Sequence, residues 1–400
     1  MSSSDIFEKT DRFVMHTYGR RKLALVRGKG ALLWDAEGKE YVDFVSGLGV
    51  NAVGHCNPAV VSAIRKQSKR LLHISNLYYN DVQAELAEIM CKLSPFYIDS
   101  VFFCNSGTEA VESALKLARK HTGKKEIIAM KNAFHGRTMG ALSATWSEKY
   151  RKAFEPLVPD VDFAEFNNIA SVKEIAEKKK GNVAAIITEV IQGEGGIVPA
   201  KKEFLIELRK FCDENGIMLI FDEVQTGFGR TGKMFAHELY GVQPDIMSLA
   251  KAGGGGLPFG AVLARKEVAD SFSPGDHAST FGGNPLACSA ALAAIRFILE
   301  KKLSEKAGRD GKAFKKKLFV LCDSFPSLVL DVRGEGLMLA MELDSKERCT
   351  ELLNFALARG VLLCTAGENS IRFLPPLVIK KEQIAKGLQT IEEFLKSKKN

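Results

Sequence analysis

The chain has 400 residues, 46% hydrophobic and 26% charged, with 56 Lys and Arg against 48 Asp and Glu for a formal net charge of +8. That length exceeds what one hydrophobic core usually serves, so a large and a smaller domain are expected, and the balance excludes a disordered chain. No apolar run reaches the roughly 18 residues of a membrane span, the start MSSSDIFEKTDRF lacks a secretory apolar stretch, and a cytoplasmic location is expected.

The basic excess sits in short runs, Lys178-Lys179-Lys180, Lys315-Lys316-Lys317 and the tail Lys396, Lys398 and Lys399. They are scattered and carry no interleaved aromatics, so they read as solvated helix ends rather than a nucleic-acid surface. The cysteines at 56, 91, 104, 212, 288, 322, 349 and 364 form no CxxC pair or zinc spacing and read as buried reduced thiols, with no metal site.

In chain order, residues 1–30 read as irregular, and 31–45 (ALLWDAEGKEYVDFV) as a hairpin around Asp35-Ala36-Glu37-Gly38. From about 57 to 300, helices (57–71, 81–93, 108–121, 169–179, 202–214, 285–300) alternate with short apolar strands (100–104, 126–130, 161–165, 183–190, 217–222, 245–249, 259–264). Such alternation predicts an α/β unit with a mostly parallel sheet covered on both faces. Beyond 300, a Lys-rich helix (302–322), the alternating run LVLDVRGEGLMLAMEL, a helix (346–358), two short strands (361–364 and 370–374) and a last helix (382–396) predict a smaller α+β domain. The expected division is 1–56 as a segment contributing to the small domain, 57–300 as the large domain and 301–400 as the small one.

Four clusters fall where strands of the large unit end, the place where open α/β sheets collect ligands. In Cys104-Asn105-Ser106-Gly107-Thr108-Glu109 a strand stops and a helix begins, with Ser106 or Thr108 as N-cap; free N–H groups and the helix dipole suit a phosphate, although an ordinary capped helix is the simpler reading of this cluster alone. Phe221-Asp222-Glu223 ends an apolar strand in a carboxylate, which at that depth needs a partner to keep it ionised. A protonated pyridinium nitrogen would serve; Mg²⁺ binding fails because no GxxxxGK[ST] accompanies it. Lys251 follows the strand IMSLA and precedes Ala252 and four glycines, a confined place where burial lowers a lysine pKa and makes the amine a nucleophile. Asn132-Ala133-Phe134-His135-Gly136-Arg137 supplies a ring that can cover a planar ligand and an arginine that can clamp a carboxylate. His135 alone carries little weight. Together the clusters supply a phosphate seat, a stacking ring, a ring-nitrogen partner and a reactive amine, the inventory of a pyridoxal 5′-phosphate site.

The ordered motifs GKEYVDFVSGLGVNAVGHCNP, NSGTEAVESALKLAR, FHGRT, TEVIQGEGGIVP, FDEVQTGFGRTGK, PDIMSLAK, STFGGNPLAC and IRFLPPL resemble the class III aminotransferases of the acetylornithine/ornithine type, from about Tyr18 to the last helix. The resemblance implies the PLP-dependent transferase fold type I and a transaminase requiring pyridoxal 5′-phosphate. It implies that Ser106, Gly107 and Thr108 bind phosphate, Phe134 stacks on the ring, Asp222 pairs with the ring nitrogen, Gln225 contacts the 3′-oxygen and Lys251 forms the Schiff base and shuttles the proton. Thr280 would reach the phosphate of a neighbouring subunit, making a homodimer or higher homo-oligomer. Arg137 would hold a carboxylate shared by both substrates, Arg372 a second one, and Glu194 would pair with Arg372 when that second carboxylate is absent.

Three positions depart from the family pattern: Val190 in place of Pro, Ala252-Gly253 in place of Gly-Leu, and Leu48 where ornithine-specific enzymes tend to carry Tyr. An aliphatic residue at 48 turns the expectation toward an acylated donor, N-acetylornithine, with 2-oxoglutarate as acceptor in arginine biosynthesis. Tyr18 matches a tyrosine of ornithine-type enzymes and keeps ornithine open. 4-Aminobutyrate, succinylornithine and a carrier-bound aminoadipate-semialdehyde derivative are the other donors, separable by rate assays. A racemase or aminomutase of the same fold is opposed by Arg372 and Glu194, which point to a dicarboxylate second substrate. A non-catalytic binding protein would leave Lys251 idle and colourless.

Overall fold

Three strands open the chain's first sheet, and the turn between two of them shows how local chemistry sets register. The computed structural model describes residues 1–95 and 97–398; Lys399 of the basic tail lies outside them. Strand β1 (Leu25–Lys29) pairs antiparallel with β2 (Leu32–Asp35), and β2 with β3 (Glu40–Asp43). Asp35 Oδ1 accepts from the backbone N–H groups of Glu37 and Lys39 at 3.1 and 2.8 Å, an Asx-type closure of the predicted hairpin.

Residues 1–30 are not irregular as expected. Helix α1 (Ser3–Phe13) begins at a capping box, in which Ser2 Oγ accepts from Asp5 N–H and the Asp5 carboxylate accepts from Ser2 N–H. No residue of α1 is buried, although Ile6, Phe7 and Phe13 fall at helical spacing and could have announced it.

The large sheet follows the predicted alternation. Helices α2 (Pro58–Gln67) and α3 (Asp81–Leu93) precede β4 (Ile98–Cys104), α4 (Gly107–Thr122), β5 (Glu126–Met130), β6 (Val161–Ala164), α5 (Ile169–Lys178), β7 (Val183–Glu189), α6 (Lys202–Asn215), β8 (Met218–Asp222), β9 (Ile246–Ala250) and β10 (Gly260–Arg265). The strand order is β4-β10-β9-β8-β7-β5-β6. The pairs β9–β8, β8–β7, β7–β5 and β5–β6 are parallel; only β10 runs against its neighbours β4 and β9. Strands β7, β8 and β9 are buried at every residue, which is why they read as unbroken apolar runs.

Helix α7 (Pro285–Glu300) packs on α2 and α3, and α8 (Leu303–Ser324) leads into the hairpin β11 (Val329–Glu335) and β12 (Met338–Leu343), turning at Gly336 with φ +55°. Then come α9 (Lys346–Ala358), β13 (Val361–Leu362), β14 (Cys364–Ala366), β15 (Ser370–Phe373) and α10 (Lys381–Ser397). The second sheet, β11-β12-β15-β14, is antiparallel throughout. Strand β13 instead joins the first sheet, parallel to β3 with Val361 opposite Val42. One apolar cluster accordingly holds Phe44 beside Phe314 and Phe373, with ring centroids 6.0 and 6.1 Å away.

All eight cysteines are free thiols; Cys104, Cys212, Cys288 and Cys349 are buried, whereas Cys56 is exposed, against the expectation of uniform burial. Among the described residues no helix is long and apolar enough to cross a membrane, and no cluster of potential metal ligands forms.

Candidate active site

The carboxyl ends of β4, β5, β7, β8 and β9 surround a cavity of about 470 Å³. Because these strands point the same way, the segments that follow them converge on one edge. The cavity is lined by Ser106, Gly107, Thr108, Phe134, Arg137, Glu194, Asp222, Gln225 and Lys251 from the predicted set, with His135, Glu189 and Val50 added.

Ser106 is the N-cap of the 16-residue α4: its Oγ accepts from Glu109 N–H at 3.3 Å and donates to Glu109 Oε2 at 2.9 Å. Gly107 must be glycine for a packing reason, since a Cβ there would lie 2.7 Å from Val224 Cγ1. Thr108 Oγ1 accepts from the N–H groups of Arg137 and Thr138 at 3.2 and 3.3 Å, tying the helix start to the FHGRT loop.

Asp222 closes β8 and is 5% exposed. Its Oδ2 lies 2.7 Å from His135 Nδ1, and its Oδ1 accepts from Val224 N–H at 3.0 Å. Burial disfavours a charged His135 ring, but the hydrogen bond and charge of Asp222 outweigh burial and raise the His135 pKa. His135 Nε2 is buried with no hydrogen-bond partner among the described residues. The histidine that the sequence gave little weight is thus the direct partner of the key carboxylate; its position next to Phe134 was the available signal.

Glu189 at the end of β7 is a second buried carboxylate that the sequence reading passed over. Burial first, then the charge of Asp222, push its pKa up to about 7, while His135 and the N–H groups of Gly193 and Phe134 pull it down.

Lys251 follows β9 in a left-handed conformation, φ +45°, a strained backbone for a side chain of this kind. Burial, then the positive charge of Arg372, lowers its pKa against the pull of Glu194, Asp222 and Glu189. Among the described residues, no hydrogen bond or ion pair engages its amine. Arg372, on β15, is 2% exposed; its Nη1 donates to Glu194 Oε1 at 2.6 Å and approaches Gln225 Oε1 at 3.5 Å, while its Nε has no partner among the described residues. Arg137 is exposed on the cavity rim, its guanidinium free of hydrogen bonds and ion pairs among the described residues.

Four residues singled out from the sequence do not line this cavity: Arg372 reaches it only through Glu194 and Gln225, and three others stand apart. Tyr18 is 74% exposed, Leu48 is 46% exposed, and Thr280 lies in a separate cavity beside Asn76, Tyr79 and Gln83.

An amine of lowered pKa, a buried carboxylate paired with a histidine, a helix N-terminus and an arginine in one strand-end cavity, with a second arginine bonded to its lining residue Glu194, define an amino-group-transferring enzyme dependent on pyridoxal phosphate. The family described as Aminotransferase class-III matches residues 14–395, and the chain belongs to that family. It is 49% identical to the acetylornithine aminotransferase of Clostridium acetobutylicum, over 96% of this chain and 99% of that one, and 48% identical to that of Methanopyrus kandleri, over 98% and 99%. Among solved structures it resembles the acetylornithine aminotransferase of Elizabethkingia anophelis (TM-score 0.88, 34% identity, 99% and 100% covered) and the ornithine aminotransferase of Toxoplasma gondii (TM-score 0.94, 34% identity, 99% and 94% covered). The chain is a pyridoxal-phosphate-dependent transaminase of fold type I.

The residues present fit that cofactor on their own terms. The N–H groups of Gly107 and Thr108 at the start of α4 meet no acceptor among the described residues and suit a phosphate. Deeper in, Asp222 is braced by the His135 ring.

Proposed function

We propose that the enzyme transfers the terminal amino group of N-acetylornithine to 2-oxoglutarate, yielding N-acetylglutamate semialdehyde and glutamate, as in arginine biosynthesis. The observation that carries the reading is that one cavity is lined by Lys251, whose amine has a lowered pKa, and by the open Arg137, while Arg372 is closed by Glu194, itself a lining residue of that cavity. Relatives named acetylornithine aminotransferase, 46–49% identical over nearly the whole chain, support the donor.

Ser106, Gly107 and Thr108 would hold the phosphate, Phe134 one face of the ring, Asp222 its nitrogen and Gln225 its 3′-oxygen. Bound pyridoxal phosphate supplies an aldehyde carbon that takes up an amino group and a pyridinium ring that accepts the electron pair left when a donor C–H is broken. Asp222, braced by His135, would face the ring nitrogen and favour its protonated form. The Lys251 amine is the attachment point and then moves the proton at Nζ, for which a lowered pKa is required. Arg137 grips the carboxylate common to both substrates. Arg372 grips the second carboxylate of 2-oxoglutarate, and Glu194 neutralises Arg372 when the donor has none. Thr280, exposed and outside its own chain's cavity, would serve a second subunit's phosphate in a homodimer. Residues 1–56, tied to 301–400 through the β3–β13 pair, would form the small domain around 57–300.

A donor screen with 2-oxoglutarate as acceptor tests the substrate, with N-acetylornithine expected to exceed ornithine and 4-aminobutyrate in kcat/KM. Lys251→Ala is expected to abolish turnover and the visible absorbance of the bound cofactor; retained turnover would refute the assignment.

A further inference from the structure

We propose that Tyr150 is a positioning residue for the carboxylate clamp: its ring face holds the Arg137 guanidinium in place beside Phe134. The inference rests on the role given to Arg137 under Proposed function. Arg137 is exposed, so packing does not fix its long side chain, and among the described residues its guanidinium has no hydrogen bond or ion pair. What it touches is aromatic. Its Cζ lies over the Tyr150 ring, 3.7 Å from the centroid, and 5.4 Å from that of Phe134. The two rings meet edge to face at 86°, with centroids 5.9 Å apart. The guanidinium thus sits in the corner between two perpendicular rings. A cation held by ring faces keeps its N–H donors for a ligand, whereas an acidic partner would consume them.

The chain brings Tyr150 there by local ties. Trp146 N–H donates to Ala133 C=O at 3.0 Å, and His135 N–H to Thr145 Oγ1 at 2.9 Å, so the segment 145–150 runs beside the FHGRT loop. Tyr150 also lines a neighbouring cavity of about 1080 Å³ that shares Phe134 and Glu194 with the first. Its hydroxyl makes no hydrogen bond among the described residues, so the ring and not the hydroxyl carries the role.

The test uses the holoenzyme and three variants, Tyr150→Leu, Tyr150→Phe and Arg137→Gln, with cofactor content read from visible absorbance. Tyr150→Leu is expected to raise the KM for 2-oxoglutarate by about three- to tenfold, the range of one cation–π contact, with little change in kcat and unaltered cofactor content. Tyr150→Phe should restore the KM. With N-acetyl-1,4-diaminobutane, a donor without a carboxylate, Tyr150→Leu should leave the donor KM unchanged. An unchanged 2-oxoglutarate KM in Tyr150→Leu beside a raised one in Arg137→Gln overturns the role of Tyr150 alone. An unchanged KM in Arg137→Gln removes the clamp itself and the proposal with it. Loss of cofactor from Tyr150→Leu, or failure of Tyr150→Phe to restore the KM, also overturns it.

Discussion

His135 Nδ1 lies 2.7 Å from Asp222 Oδ2, and both side chains are almost wholly shielded from water. The pair solves the problem that a lone carboxylate at the end of a buried strand poses, because a charge at that depth persists only with a partner. Replacing the histidine by a residue that cannot donate should therefore weaken the electron-accepting ring rather than the binding of substrate. His135→Leu is expected to lower kcat by about ten- to hundredfold, the worth of one hydrogen bond to a charged group. Combining it with Asp222→Ala should add less than the two single effects, as steady-state kinetics of the four-member cycle would show.

Arg372 is closed by Glu194 in this state. Glu194→Ala leaves a buried guanidinium seeking a carboxylate, so substrates with a second carboxylate should gain. The expected change is a rise of roughly tenfold in the kcat/KM of glutamate relative to that of N-acetylornithine, from the loss of one charge-assisted pair. Competition assays between the two donors measure it, and an unchanged ratio would refute the switch.

Glu189 has a folded-state pKa of about 7 against an ordinary value of 4.5. Between those values the unfolded chain has lost the proton and the folded one has kept it, so stability falls as pH rises through this window and levels off above it. The drop attributable to this group is about 3 kcal/mol at most. Urea unfolding of Glu189→Gln and the parent from pH 4.5 to 7.5 should show the variant losing part of that slope. His135, with a raised pKa, acts in the same direction: its contribution is full below its unfolded value and disappears as pH rises through the folded one.

Gly107 admits no side chain while Val224 stands in place. Gly107→Ala is expected to push back the start of α4 and weaken cofactor affinity by about tenfold, the cost of a modest overpacking. Val224→Ala introduced beside it should recover most of the loss, as read by titrating the cofactor-free enzyme with pyridoxal phosphate.

Several features were legible in the sequence because each leaves a local mark. Asp222 and Lys251 stand directly after apolar strands, Ser106 heads a helix after a strand stop, and the hairpin at 32–43 carries turn residues between alternating runs. Other features leave none. The reversed direction of β10 is invisible because a strand buried at all but its last residue reads alike either way. Helix α1, by contrast, did leave marks that the sequence reading missed, a short apolar stripe of Ile6, Phe7 and Phe13 and the capping box of Ser2 and Asp5. The His135–Asp222 pair joins residues 87 positions apart, and the Tyr150–Arg137 stack depends on the path of a loop. Tyr18 and Thr280 lie outside the cavity of their own chain, so only the family resemblance singled them out.

The pairing of β3 with β13 has a consequence for how the molecule is made. The hairpin leaves the ribosome long before the edge that shields it, since β13 follows β3 only after the whole large sheet has been made. Until then one flank of that ribbon stays unsatisfied and open to association with other nascent chains. Truncation near the carboxyl end should thus damage the opposite extremity first, and solubility on expression will depend on how quickly the two ends meet.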